Sequence, residues 1–166
     1  MKRALHLLIT SCAEGALILV VAAIGWATKL PLIFASLGPT AYELVEKPNS
    51  PGARTYNIIA GHMLGLGFGF LSLWLFHAWD APKVASAGFV TSPRIWAAVV
   101  AASLTTGAAL LVKASQPASL STTLIVSLGS MQTRRDAAAI VIGVLILAAV
   151  GEPFRRYFGK TRVETS

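Results

Sequence analysis

Long apolar runs separated by stretches that cannot serve as ordinary loops constrain this chain most. Ala4–Thr28, Tyr56–Trp79 and Arg94–Lys113 each reach or approach the roughly 20 residues a membrane-crossing helix needs, and Asp136–Gly151 is a shorter fourth run. The stretch from Leu30 to Tyr42 carries no charge, yet as a helix it would measure only about 20 Å. Ala114–Thr133 is also uncharged, but Ser, Thr, Gln and Pro make it a poor lipid-facing helix.

Composition agrees with a membrane protein. Hydrophobic residues make up 55% of the 166 and charged ones only 13%, against about a quarter charged in a soluble domain. We expect one transmembrane unit over 1–166. The net charge of +7 does not point to nucleic acid, because Lys2, Arg3, Lys83, Arg94, Lys113, Arg134, Arg135, Arg155 and Arg156 all flank apolar runs, as topology-setting cations do. Lys2 and Arg3 also precede signal peptides, but the run behind them is too long for one and holds Glu14 at its centre, so a retained span is expected. One cysteine, Cys12, excludes an internal disulfide and reads as a core thiol.

The two short stretches resemble each other. Ala35-Ser36-Leu37-Gly38-Pro39-Thr40 matches Ala118-Ser119-Leu120-Ser121-Thr122-Thr123 at four of six positions, and each lies between two spans. This predicts an all-α fold of four transmembrane helices and two short re-entrant half-helices. Span, half-helix, span would occur twice, in repeats 4–79 and 94–151, ahead of a basic cytoplasmic tail over 152–166. Gly38-Pro39 with Ser36, and Gln116-Pro117, suit helix starts. Leu30–Tyr42 then dips into the membrane, and Glu43–Thr55 is an exposed loop. Interior helix N-termini attract anions. The competing reading lays both segments flat at the interface. Under either topology the cation count puts both termini in the cytoplasm.

Glu14 lies near the bilayer midplane, where an acid is costly and functional by default. A protonated acid bonded to a neighbouring helix, or a shallow one, are the alternatives. His62 suits a proton site, a substrate donor or a hydrogen-bonded structural histidine. Gly61, Gly65 and Gly69 recur every four residues and predict close helix packing. Arg54 reads as a solvated charge or a partner of Glu43 or Glu46. No residue spacing makes a metal site.

The run Ser36-Leu37-Gly38-Pro39-Thr40-Ala41, with Ser50-Pro51, Asn57 and Gly61-His62, resembles the HPP family of small integral membrane proteins. The likeness covers roughly Pro31 to Gly151. The family's His-Pro-Pro motif corresponds here to Ser115-Gln116-Pro117-Ala118, without the histidine, and its usual arginine before the asparagine is Tyr56. The resemblance implies association with nitrite transport in plastid and cyanobacterial relatives.

The resulting expectation is a transporter or channel for a small inorganic anion, nitrite first, in the lipid bilayer of a bacterial inner or plasma membrane. Ser36, Gly38, Pro39, Thr40, Gln116, Pro117 and Ser119 would hold the anion, with Glu14 or His62 coupling protons. A non-transporting scaffold or accessory subunit is the alternative. Neither an enzyme nor a cofactor is expected, and a homodimer is.

Overall fold

A computed structural model describes residues 2–163. Every regular element in it is a helix: α1 Lys2–Thr28, α2 Leu37–Glu46, a 3-10 turn at Pro51–Ala53, α3 Thr55–Leu75, α4 Val84–Ala87, α5 Ser92–Leu111, α6 Ala118–Ser127 and α7 Arg134–Val163. Four helices are long and apolar enough to cross a membrane, with spans Leu7–Thr28, Thr55–Leu75, Ser92–Leu111 and Arg134–Lys160.

The contacts fix the direction of each piece. Arg135 at the start of α7 donates to the Lys29 carbonyl just past α1. The Thr55 hydroxyl at the start of α3 donates to Glu152 near the finish of α7, at 3.0 Å. So α1 and α3 both run against α7. We call the end where α1 begins and α7 finishes proximal, and the other end distal. Tyr56 Oη donates to the Val112 carbonyl past α5 at 3.2 Å, so α5 also runs distal to proximal.

The stretch around α2 follows α7 all the way. Its neighbours there are Arg135 for Lys29, Gly143 for Leu32 and Leu37, Gly151 for Leu44, and Arg155 for Pro48. The stretch around α6 follows α3 in the same manner. Gly61 meets Gln116, Gly65 meets Ser119 and Thr123, and Gly69 meets Val126. The expected re-entrant course is therefore corrected. Each short stretch leaves from the end opposite the one it came in by, because a non-helical stretch precedes its ten-residue helix and supplies the missing length.

The fourth run does not stop at Gly151. Glu152 is paired with Arg155 and Arg156, both at 2.7 Å, so its charge is balanced within the helix. Pro153 removes one backbone donor without ending α7. The tail expected from 152 is helix as far as Val163. Cys12, expected in the core, is exposed, because α1 packs on one side only, against α2 and α7. The core itself lies between α2, α3 and α7, around Leu37, Leu44, Ile58, Ile140 and Leu147.

Arg94, at the distal end of α5, is fully buried. Its guanidinium donates to the carbonyls of Ser127 (3.1 Å), Ala81 (2.8 Å) and Pro82 (3.4 Å) and to Gln132 Oε1 (2.9 Å). One side chain thereby ties α6 to the loops after α3 and before α7. Gly129, at φ +87°, lies so close to the guanidinium that a Cβ there would stand 2.6 Å from Nη2.

Candidate functional site: the crossing of two short helices at His62

Glycine decides where α6 lies. A Cβ at Gly65 would stand 2.5 Å from the Ser119 carbonyl oxygen, and one at Gly69 2.8 Å from Val126 Cβ. Gly61, Gly65 and Gly69 form one smooth face of α3, and α6 beds directly on it. His62, one residue along from that face, turns into the gap between α6 and α2 and is fully buried.

Its two ring nitrogens join the short helices. Nδ1 is 2.7 Å from Thr122 Oγ1 on α6, and Nε2 is 3.0 Å from Thr40 Oγ1 on α2. Ser36 Oγ, at the start of α2, is 2.8 Å from Thr122 Oγ1. The Thr40 hydroxyl donates to the Ser36 carbonyl at 2.9 Å. Counting hydrogens assigns the rest for a neutral ring. Thr40 has spent its hydrogen, so Nε2–H donates to Thr40. Nδ1 then accepts from Thr122, which accepts from Ser36. Every polar atom of the cluster has a partner.

A second chain of bonds runs from this crossing to the proximal end. Thr105 Oγ1 lies 3.0 Å from Thr123 Oγ1, and Thr123 donates to the Ser119 carbonyl at 3.1 Å. Ser119 donates to the Gln116 carbonyl at 2.6 Å. Gln116 Nε2 donates to the Gly52 carbonyl at 3.0 Å, and its Oε1 accepts from Ala118 N–H at 3.3 Å. Asn57 donates to the Pro51 carbonyl at 2.8 Å.

Of the residues the sequence singled out, Ser36, Thr40 and His62 come together at the crossing. Gln116 and Ser119 are buried at the proximal start of α6. Pro39 and Pro117 are exposed, and Gly38 has nothing within 4 Å of a Cβ position. Glu14 is half-buried on α1, and no hydrogen bond or ion pair among the described residues joins it to the crossing. Sequence reasoning missed Thr122, the residue that touches both His62 and Ser36. Its signal was position, three residues beyond Ser119 on the same buried face of α6.

The helix α2 runs with α7, α6 runs with α3, and those two are antiparallel, so the short helices run in opposite directions. The start of α2 lies inside the bundle, with Ser36 Oγ 2.8 Å from Thr122, four residues into α6. The first amides of α6 are already used. Ala118 is capped by Gln116, Ser119 N–H reaches the Gln116 carbonyl at 3.0 Å, and Leu120 N–H reaches the Pro117 carbonyl at 3.2 Å. Ahead of both short helices, among the described residues, backbone N–H groups are left without a hydrogen bond: those of Ile33, Phe34, Ala35 and Ser36 before α2, and those of Ser115 and Gln116 before α6. No cluster of His, Cys, Asp and Glu fit to hold a metal occurs among the described residues.

Residues 1–162 match the family described as HPP, transmembrane region. No curated protein and no solved structure matches the chain.

Proposed function

Since the chain belongs to the HPP family of integral membrane proteins, we propose that it passes small anions, nitrite first among them, across the membrane. The observation that carries this reading is the crossing of α2 and α6 at His62. Irregular, interrupted segments are tolerated inside a membrane where they line a polar path, and transporters place their sites where two such segments meet. Here the meeting point offers three hydroxyls and an imidazole, all buried in the middle of an apolar bundle.

The packing supports an internal repeat of inverted sense. The helix α2 packs against α1 and α7, and α6 packs against α5 and α3. Exchanging α1, α2, α3 for α5, α6, α7 turns each of these pairs into another of them. On this reading the chain crosses six times. Lys2, Arg3, Lys47, Arg54, Lys113, Arg155, Arg156, Lys160 and Arg162 then lie proximally, against Lys29, Lys83, Arg94, Arg134 and Arg135 distally. That excess favours a cytoplasmic proximal end.

His62 is the coupling group in this proposal. A second ring proton would occupy Nδ1, where Thr122 now donates. Thr122 would have to turn its hydrogen away, and the Ser36 bond would be exchanged with it. Proton arrival thus reverses the direction of the bonds that run from His62 through Thr122 to Ser36.

Saturation of the same cluster favours a second reading, a non-transporting scaffold in which His62 only fastens two helices. Uptake by proteoliposomes separates the two. Nitrite, nitrate and formate are offered with and without a pH gradient, to wild type, His62→Ala and Thr122→Val. The transport reading expects saturable nitrite uptake that falls about tenfold or more in both variants, a loss of about 1.4 kcal/mol. Folded wild-type protein that moves none of the three faster than empty liposomes leaves the scaffold.

A further inference from the structure

The two mouths of the bundle are built alike but equipped differently. At the distal end a cleft of about 560 Å³ is lined by Ala22, Gly25 and Trp26 of α1, by Lys29, by the non-helical stretch Leu30–Ile33, and by Arg135 and Asp136 of α7. At the proximal end a smaller cavity of about 190 Å³ is lined by Thr106, Ala109 and Leu110 of α5 and by Ser115, Gln116, Pro117, Ser119 and Leu120. Each lies between the last turns of a long helix and the stretch leading to a short one. The distal volume falls within the roughly 300–1,000 Å³ usual for small-molecule sites, and the proximal one does not.

The chemistry differs more than the volume. The proximal cavity has no charged side chain in its lining. The distal cleft has two cations. The Lys29 ammonium stands 5.0 Å from the centroid of the Trp26 ring, and Arg135 donates to the Lys29 carbonyl, which leaves both groups exposed at the opening. The one acid, Asp136, is engaged elsewhere, since its Oδ2 accepts from Thr133 N–H at 2.9 Å while Asp136 N–H donates to Thr133 Oγ1 at 3.1 Å. Along the inner wall the stretch leading to α2 carries the run of unbonded N–H groups, beginning at Ile33. Backbone of that kind at membrane depth calls for water or an anion against it.

We propose that the distal cleft is an anion vestibule, in which Lys29, Arg135 and the open amide of Ile33 hold a small inorganic anion. Binding there stands on the cleft alone. Delivery onward to His62, about one helical turn beyond Ser36, rests on the transport reading above. A lipid phosphate offers the same chemistry, and the experiment separates it from a free anion.

Trp26 is the reporter. Its fluorescence, taken as the difference between the full chain and Trp26→Phe in zwitterionic micelles, is quenched with iodide and with neutral acrylamide at fixed ionic strength. The vestibule predicts iodide quenching of Trp26 about threefold above that set by acrylamide access, through the local enrichment cations produce. Free nitrate displaces the iodide, Lys29→Gln and Arg135→Gln both abolish the excess, and Lys83→Gln, outside the cleft, keeps it. Lys29→Gln carries the test if Arg135→Gln fails to fold, since the Lys29 side chain makes no hydrogen bond among the described residues. Equal quenching by iodide and acrylamide, an excess unchanged in Lys29→Gln, or displacement by phosphatidylglycerol but not by nitrate each overturn the proposal. An intact vestibule without flux would sink only the transport reading. Flux without an iodide excess would sink only the vestibule.

Discussion

The half from α1 to α3 and the half from α5 to α7 share a backbone plan and differ in where it is fastened. Both α1 and α5 end in the same way. Lys29 and Lys113 adopt left-handed φ values of 57° and 56°, and the next residue's N–H reaches back to Gly25 and Ala109, at 3.1 and 2.8 Å. Thr40 and Thr123 each return a hydroxyl bond to the carbonyl four residues earlier. Gly61 and Gly69 on α3 are matched, at the same spacing, by Gly143 and Gly151 on α7. Counting back from the paired lysines, Arg94 corresponds to Thr10. Arg94 has four acceptors, while Thr10 is buried with its hydroxyl unpartnered. Counting from the paired glycines, His62 corresponds to Val144. Each half is thus fastened by polar side chains at a different level: the second at its distal start by Arg94, whose counterpart Thr10 holds nothing, and the first at the crossing by His62, whose counterpart Val144 holds nothing. Of the two starts, that of the first half is the looser.

The comparison can be broken first at Arg94. Arg94→Met strips a donor from four buried acceptors, and we expect about 3–5 kcal/mol of lost stability, in the range for removing one partner of a buried charge. Thr10→Val, its counterpart, should be neutral or stabilising, because it removes an unsatisfied hydroxyl. Thermal unfolding in detergent compares them, and equal losses would end the claim of unequal starts. Next comes the glycine face. Gly65→Ala drives a methyl onto the Ser119 carbonyl, which is backbone and cannot yield, and should cost about 1–3 kcal/mol. Gly151→Ala meets only the tip of Leu44, which can turn, so its cost should be under about 1 kcal/mol. Ser36→Ala removes one bond between the short helices and should cost about 1 kcal/mol. The smallest and most local signal is hydrogen exchange. Amides 33–36 should exchange faster than those of Ala118–Leu120, and protection in the reverse order would show that the approach to α2 is the firmer one.

Hydropathy made the four long helices legible, and the small, proline-bearing composition marked the starts of both short ones within a residue or two; their ends were missed, since α2 continues to Glu46 into the stretch expected as an exposed loop and α6 stops at Ser127. The glycines at 61, 65 and 69 announced a close contact but not its partner, because spacing specifies a smooth face and not what lies on it. The direction of the short stretches was hidden. An uncharged stretch too short to cross as a helix looks the same whether it turns back or is completed by a non-helical stretch, and only the contacts with α7 and α3 decide. The end of α7 was hidden too. Glu152 and Pro153 read as a stop until Thr55, Arg155 and Arg156 are seen to absorb the acid. Thr122 escaped because its counterpart in the aligned six-residue run is Pro39, which carries no polar group.

Three traverses make an odd number. A unit that traverses the bundle three times finishes opposite to where it began, so the next unit of the same kind must face the other way. On the transport reading, a solute arriving from either side meets the same succession of backbone, a long helix, a non-helical stretch and a short helix. Nothing in that succession tells inward from outward. On that reading rectification is written in side chains: Lys29 and Arg135 at one mouth, Asn57 and Gln116 at the other. Exchanging those four residues is the shortest route to a chain of the same shape that runs in reverse.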